Sequence, residues 1–273
     1  RENDTDGNGK VIVVISSELG ESILGYFFAI DKFPRGMEEP FSYSNEGDVL
    51  YITGNPDFYA FQNGNVINAT MAHELQHMIY FDEHYNRGAT YTYTWLNEAL
   101  SKAAEYYTGY LADHYAWIAS FLQGDYWGLS LTHWTTYNYG YGAIFIRYLI
   151  DQYGDKAVKE MCATDKVGIA AVEAATGRDF NAIFTEFSRA VAISGAAVAL
   201  HPNPRYRFTT LDLQRIQPEG RKGLLTPYEF EAGEDIEGYL PPYSLCFIKW
   251  KGSFGTMNLS GDSIIGTAFG LTR

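Results

Sequence analysis

Residues 65–81, NVINATMAHELQHMIYF, contain no helix breaker and are apolar nearly all round. This pattern predicts a helix that is buried on most of its sides. The same segment carries His73, Glu74 and His77, and burial of such polar groups is unfavourable unless a partner compensates it. The segment therefore restricts the chain to folds that enclose this helix and supply partners for its polar side chains.

The two histidines of this segment have the spacing of a metal site. His73 and His77 are four residues apart, so both imidazoles lie on one helix face about one turn apart. From there both can bind one tetrahedral cation. Glu74 points to the side, where it can take a proton from a water molecule without being a ligand. HELQH therefore matches HExxH, which places two zinc ligands and a general base on one helix.

A catalytic zinc ion needs a third protein ligand, and the chain offers two candidates. In the metzincin pattern a Gly and a His follow the second histidine by three and six residues, but Tyr80 and Glu83 stand there. His84 misses that pattern by one residue, and we expect it at the surface near the helix end. Glu98, in WLNEALSKAAE, can instead return to the histidines on a second, antiparallel helix.

HELQH and WLNEALSKAAE together resemble the hyicolysin-like neutral metalloproteases, and the ligand arrangement is similar to that of thermolysin, a gluzincin. The resemblance covers roughly residues 45–190. It implies a zincin-type catalytic domain with one catalytic Zn²⁺ bound by His73, His77 and Glu98. It also implies that Glu74 is the base that activates water. The alternative for Glu98 is an ordinary solvated position on its helix.

The chain departs from the thermolysin-like pattern four residues after Glu98. An acid at that position orients the first histidine in those proteins, whereas this chain has Lys102. Because a lysine cannot accept the histidine N–H, we expect Glu105 or a backbone carbonyl to do so. Lys102 also motivates a second hypothesis, a zinc-binding surface protein with weakened or lost activity.

A zinc peptidase also needs a donor for the tetrahedral oxyanion. WTTYNYGYGAIFIRYLIDQYG resembles the gluzincin segment in which a tyrosine precedes a glycine and a helix. If that glycine corresponds to Gly142, the resemblance implies that Tyr139 stabilises the oxyanion, with Tyr141 and His133 as alternatives. All of these side chains have a simpler interpretation as packing residues, since the chain has 22 tyrosines.

The substrate strand is predicted from the layout of such peptidases, which hold an extended peptide along a sheet edge just before the HExxH helix. DVLYITGNP occupies that place in the chain. The predicted edge strand that binds substrate consists of Val49, Leu50, Tyr51, Ile52 and Thr53.

The rest of the chain predicts an α+β fold. Residues 1–62 are rich in strand patterns that predict a twisted sheet, and residues 63–200 are rich in helix patterns. We therefore predict a metallopeptidase catalytic domain over residues 1–200. After the linker-like HPNPRYRF, short strands and Gly/Pro turns predict a small β-sandwich-like module over residues 202–273.

A smaller motif near the N-terminus resembles the beginning of a calcium loop. Asp4, Asp6, Asn8 and Gly9 have the required spacing, but Ile15 stands where such a loop needs a bidentate glutamate. We expect a solvated polar turn, and a structural Ca²⁺ is the alternative. Cys162 and Cys246 are compatible with one disulfide or two thiols.

Charge and hydropathy exclude several classes of partner. A net charge of −13 leaves no basic surface for nucleic acid. No segment approaches the roughly 20 apolar residues of a membrane-spanning helix. The chain begins at Arg1 without a signal peptide, and we expect that a targeting segment was removed from a secreted or cell-surface protein.

The patterns together favour a secreted zinc-dependent endopeptidase that hydrolyses peptide bonds in proteins or peptides. One alternative within the gluzincins is an aminopeptidase. GMEEP at residues 36–40 resembles the acidic segment that binds the substrate amine there, although a GxMEN sequence is absent. The other alternative is the zinc-binding surface protein that Lys102 motivates.

Overall fold

The fold begins with a small sheet and continues as a set of packed helices. A computed structural model describes residues 4–20, 22–55, 64–89, 94–123, 128–194, 203–213, 216, 228–231 and 239–251. Within these residues the chain is mixed α+β, and helices predominate. The strands are β1 (Ile12–Ser16), β2 (Gly25–Phe27), β3 (Val49–Thr53), β4 (Tyr228–Glu231) and β5 (Ile248–Lys251). The α-helices are α1 (Gly64–Asn86), α2 (Thr94–Thr108), α3 (Leu111–Gln123), α4 (Tyr139–Cys162), α5 (Ile169–Thr176) and α6 (Phe180–Ile193).

The N-terminal sheet has the strand order β1-β3-β2. β1 is parallel to β3, and β2 is antiparallel to it, with Tyr26 opposite Tyr51. β3 is therefore the central strand, and the prediction that its five residues form a sheet edge is wrong. Its nearly continuous apolar composition is compatible with burial of both sheet faces, and it does not tell a central strand from an edge strand. Four of the five are buried, namely Val49, Leu50, Ile52 and Thr53.

The C-terminal end of α1 lies deeper than expected. His84 is only 1% exposed, so the prediction of a surface position is wrong. Its ring stacks on Tyr80 at a centroid distance of 3.8 Å. Nδ1 lies 3.0 Å from the carbonyl oxygen of Tyr80, and Nε2 lies 3.1 Å from that of Lys166. The chain after α4 thus covers the last turns of α1, a contact between distant segments that local pattern does not indicate.

The long helix α4 forms the centre of the helical core. Gly154, with φ of 75°, interrupts it, and the chain then continues helically to Cys162. The half before Gly154 is buried on nearly every side, and α2, α3 and α5 pack around the helix. No helix in the described part of the chain is long and apolar enough to cross a membrane.

The segment after residue 202 begins by docking on α4. The hydroxyl of Tyr148 donates to the carbonyl oxygen of Arg205 at 2.9 Å, and Asp151 accepts the backbone N–H of Thr209 at 2.6 Å. Phe208 and Leu211 are buried in the helical core. Residues 203–213 therefore do not behave as a free linker, although residues 195–202 lie outside the described part.

Only pieces of the predicted C-terminal module belong to the described residues. β4 and β5 form a parallel pair, with Tyr228 opposite Ile248. Leu245 is part of the helical core cluster. Cys246, in the same region, is a free thiol, as is Cys162. The predicted β-sandwich-like module over 202–273 thus stays a prediction.

The N-terminal polar turn has the expected local hydrogen bonds. Side-chain oxygens of Asp4, Asp6 and Asn8 accept backbone N–H groups of Gly9, Asn8 and Lys10, respectively. These bonds are short-range polar contacts within the turn.

Candidate metal centre

Three side chains from two helices converge at one point. α1 supplies His73 and His77, and α2 supplies Glu98. One ligand atom of each residue lies within 4.8 Å of the others, and within the described residues no other such group of His, Cys, Asp or Glu is found. Glu98 Oε2 lies 3.1 Å from His73 Nε2 and 3.6 Å from His77 Nε2.

These distances match those around a small cation. Two ligand atoms at about 2.0–2.1 Å from a tetrahedral ion are about 3.4 Å apart, and the two measured separations lie on either side of that value. Two imidazole nitrogens and one carboxylate oxygen also form a donor set that divalent transition metals accept. The group of His73, His77 and Glu98 can therefore hold a metal ion.

The sequence produces this convergence through the packing of α1 against α2. The helices run in opposite directions, since His73 meets Glu105 whereas His77 meets Ser101 and Glu98. Ala99, beside Glu98, is fully buried and faces α4. Its small side chain lets the helices approach, and Glu98 is thereby held toward the histidines.

A second layer of polar groups orients His73. Its Nδ1 lies 2.9 Å from Glu105 Oε1. Of the two partners predicted for this N–H, Glu105 or a backbone carbonyl, the structure has Glu105. Nε2 is left to face Glu98. Burial lowers the pKa of His73, but hydrogen bonds with Glu105 and Glu98 outweigh burial and raise it to about 9. These contacts hold the first histidine with Nε2 toward the centre.

His77 is oriented by two residues that the sequence analysis missed. Ser101 Oγ lies 3.2 Å from His77 Nδ1 and 3.4 Å from Nε2, and it hydrogen-bonds to Gln76 Oε1. If Ser101 donates to Gln76, its oxygen is free to accept from Nδ1–H, which leaves Nε2 to a metal. The sequence contained a signal for Ser101, because this residue follows Glu98 by three positions and so lies on the same face of α2.

Glu74 lies beside the metal group without belonging to it. Its side chain is largely buried, and burial raises the pKa of its carboxyl group. The backbone N–H of Phe27, in β2, donates to the carboxylate. The environment thus favours a carboxylate that takes up a proton more readily than an exposed one does.

Tyr139, the first residue of α4, is also brought to the site. Its ring centroid lies 5.8 Å from that of His73, and its side chain hydrogen-bonds to Glu98. Burial, with the nearby charge of Glu98 and Glu74, raises its pKa far above the ordinary value. The ring centroids of Trp117 and Trp134 lie 5.0 and 4.9 Å from that of Tyr139.

The two alternatives to Tyr139 make other contacts. Tyr141 is fully buried, and its hydroxyl donates to the carbonyl oxygen of Tyr243 at 3.0 Å. His133 is exposed, and its backbone N–H donates to Ser130 Oγ. The structure thus brings together the three predicted ligands, Glu74 and Tyr139, and it places Tyr141 in the helical core.

Two glycines determine how closely β2 and α4 approach the site. A Cβ on Gly25 would lie 2.8 Å from Thr70 on α1, so β2 runs directly against the helix that carries the histidines. A Cβ on Gly140 would lie 2.1 Å from the carbonyl oxygen of Trp117. Within the described residues β2 pairs with β3 on one side only. The sheet edge beside α1 is thus β2, and not the β3 residues Val49–Thr53.

No protein-family model matches this chain, and no curated protein matches it either.

Proposed function

We propose that the protein is a zinc-dependent endopeptidase of the gluzincin type, similar to the hyicolysin-like metalloproteases. The observation that carries the proposal is the convergence of His73, His77 and Glu98, with the buried carboxylate of Glu74 beside them. A donor set of two imidazoles and one carboxylate is that of zinc hydrolases such as thermolysin. A zinc ion bound there would supply Lewis acidity toward water and a substrate carbonyl.

The chain's own residues supply the proton transfers. Glu74, with its raised pKa, can accept a proton from the attacking water and return it to the leaving amine. Tyr139 stays protonated because its pKa is raised, so its hydroxyl remains a donor for the developing oxyanion. Both groups lie beside the three ligands, which supports a hydrolytic function over simple metal storage.

The substrate is proposed to lie along β2. An extended peptide can add through main-chain hydrogen bonds to the side of β2 that pairs with no strand in the described part of the chain. The contact between Phe27 N–H and Glu74 puts the strand next to the proposed base. β2 takes the place of β3, the strand that the sequence predicts for this role, because β3 has strands on both sides.

The wider architecture is part of the same proposal. A sheet, an HExxH helix and a second helix with the ligand Glu98 follow one another in the order of a zincin-type domain. We extend the proposal to a small β module at the C-terminal end and to a secreted or cell-surface location, as the resemblance to hyicolysin-like proteases implies.

The proposal is tested by measuring bound zinc and casein hydrolysis, with and without a zinc chelator. Glu74→Gln is expected to abolish hydrolysis and to retain zinc, because Glu74 is not a ligand. Glu83→Gln is the matched control, since Glu83 is on the same helix but partly exposed, where it pairs with Arg87. A native protein that binds zinc without hydrolysing casein would favour the surface-binding hypothesis.

A pair of peptides separates endopeptidase from aminopeptidase. The same sequence is supplied with a free and with an acetylated N-terminus. An endopeptidase should cleave both at internal bonds, because β2 contacts the peptide main chain and not its terminal amine. Cleavage of the free peptide alone would support the aminopeptidase.

A further inference from the structure

Lys102 is a buried cation directly behind the metal group. Its side chain is 3% exposed. Nζ donates to Glu105 Oε1 at 2.7 Å and to Asp113 Oδ2 at 3.1 Å. It also lies 5.0 Å from the ring centroid of Tyr139. Because an ammonium group is buried at high cost unless it is paired, this placement calls for an explanation.

The contact with Glu105 links Lys102 to a metal ligand. Glu105 Oε1 accepts from Lys102 Nζ and also from His73 Nδ1, whereas the buried Oε2 has no hydrogen-bond partner among the described residues. Within this part of the chain the carboxylate is therefore held through a single oxygen by donors on two sides. Without Lys102, His73 would be the one described residue that holds it, and the carboxylate could turn away and release the imidazole.

The charges around Lys102 show that it does not act as a free cation toward the site. Its one positive charge faces two negative charges, Glu105 on α2 and Asp113 on α3. The trio carries net negative charge, which is compatible with a dication close by. The departure from the thermolysin-like pattern is thereby compensated within two helices.

We propose that Lys102 is a positioning residue of the metal centre, which holds Glu105 on His73 and supports the ring of Tyr139 from behind. The inference rests on the proposed function, since it assumes that His73, His77 and Glu98 bind a metal. It assigns a role to Lys102, the residue that also motivates the hypothesis of a zinc-binding protein with lost activity.

Removal of the lysine charge distinguishes a positioning role of Lys102 from simple repulsion between Lys102 and the metal ion. If Lys102 only repelled a nearby dication, Lys102→Met would bind the metal more tightly. If Lys102 positions Glu105, the same substitution weakens binding, by about 10–100-fold as for other residues that orient metal ligands. The two readings predict opposite signs.

The experiment measures Zn²⁺ affinity of the full chain by competition with a chromogenic chelator, and the visible absorption bands of the Co²⁺-loaded protein. Lys102→Met is expected to lose about 10–100-fold in Zn²⁺ affinity and to shift the Co²⁺ bands. Lys32→Met is the matched control. The side chain of Lys32 is likewise only 6% exposed and pairs with two acids, Asp48 and Asp82, and neither ion pair includes a residue of the metal group. The control is expected to lose stability and to keep the Zn²⁺ affinity.

A second variant keeps the test decisive if Lys102→Met does not fold. Lys102→Gln retains a donor for Glu105 and is expected to bind Zn²⁺ with an affinity between those of the native protein and Lys102→Met. Zn²⁺ binding by any folded Lys102 variant as tight as native binding, or tighter, overturns the inference alone. Failure of the native protein to bind Zn²⁺ or Co²⁺ overturns both the inference and the proposed function.

Discussion

Gly140→Ala is expected to separate α4 from α3 and to displace Tyr139. A Cβ at this position would lie 2.1 Å from the carbonyl oxygen of Trp117 and 2.6 Å from Cβ of Phe121. The first contact is about 1.3 Å shorter than ordinary van der Waals contact. A backbone oxygen and a Cβ cannot turn aside as the end of a long side chain can, so the two helices must move.

The size of the effect follows from two opposing contributions. Overpacking of this kind costs up to about 3 kcal/mol, and alanine in a helix offsets roughly 0.5–1 kcal/mol relative to glycine. At that upper limit a net loss of about 2–2.5 kcal/mol remains. It corresponds to a fall in Tm of about 4–10 °C for a chain of this size. Because Tyr139 precedes Gly140, kcat for peptide hydrolysis should fall as well, whereas bound zinc should be retained.

Gly142→Ala is the matched control two residues further along the same helix. Its Cβ would lie 3.4 Å from that of Ala99, which is ordinary contact. The Tm of this variant, measured by circular dichroism, should stay the same or rise, because only the helix-propensity gain applies. Equal Tm values for native protein and Gly140→Ala, or an equal loss in both variants, would refute the packing argument.

Three further predictions concern single side chains. The pKa of His73 is raised to about 9 in the metal-free protein, so Zn²⁺ must displace a proton from this residue below that pH. Calorimetry in buffers of different ionisation enthalpy should show about one proton released at pH 7. The Zn²⁺ affinity should rise with pH up to about 9. By the same shift, His73 adds stability to the metal-free protein that is fully present below the unfolded-state pKa near 6.5 and is lost as the pH rises through 9. Tyr139→Phe should lower kcat by about 10²–10³-fold with bound zinc unchanged. As a control, Tyr141→Phe should leave kcat near the native value and cost about 1 kcal/mol of stability. Similar kcat values for the two variants would show that Tyr139 has no part in the mechanism. His84→Ala should lose about 1–3 kcal/mol in urea unfolding, because the buried ring and its hydrogen bond to one of the two facing backbone carbonyls, that of Tyr80 or of Lys166, would be lost. A loss below about 0.5 kcal/mol would show that this buried ring contributes little to stability.

The metal group was predictable because it depends on local geometry. The spacing of His73 and His77 by four residues is enough to put both rings on one face of any helix. Glu98 needed one further step, the return of a second helix, which the intervening length allowed. Glu105 was within reach of prediction too, since it lies two turns beyond Glu98 on the same side of α2.

Other features depended on which distant segments meet. The five residues of β3 look the same in sequence whether a strand pairs on one side or on both, and only the position of β2 decided that they form the centre of the sheet. His84 has polar neighbours in sequence, yet Lys166, 82 residues later, buries it. Local periodicity cannot report such contacts because it carries no information on long-range pairing.

The sequence by itself determined the helical segments and the pair of imidazoles on one face, because these follow from residue spacing along a regular helix. Its motif indicated Glu98 as their partner, and the packing of a second helix brings that residue to them. Only the tertiary structure decided which strand forms the sheet edge beside α1, which tyrosine faces the site, and that two acids neutralise Lys102. The physical reason is that burial and charge pairing depend on the neighbours that folding brings together, and those neighbours come from α2, α3 and α4 at once.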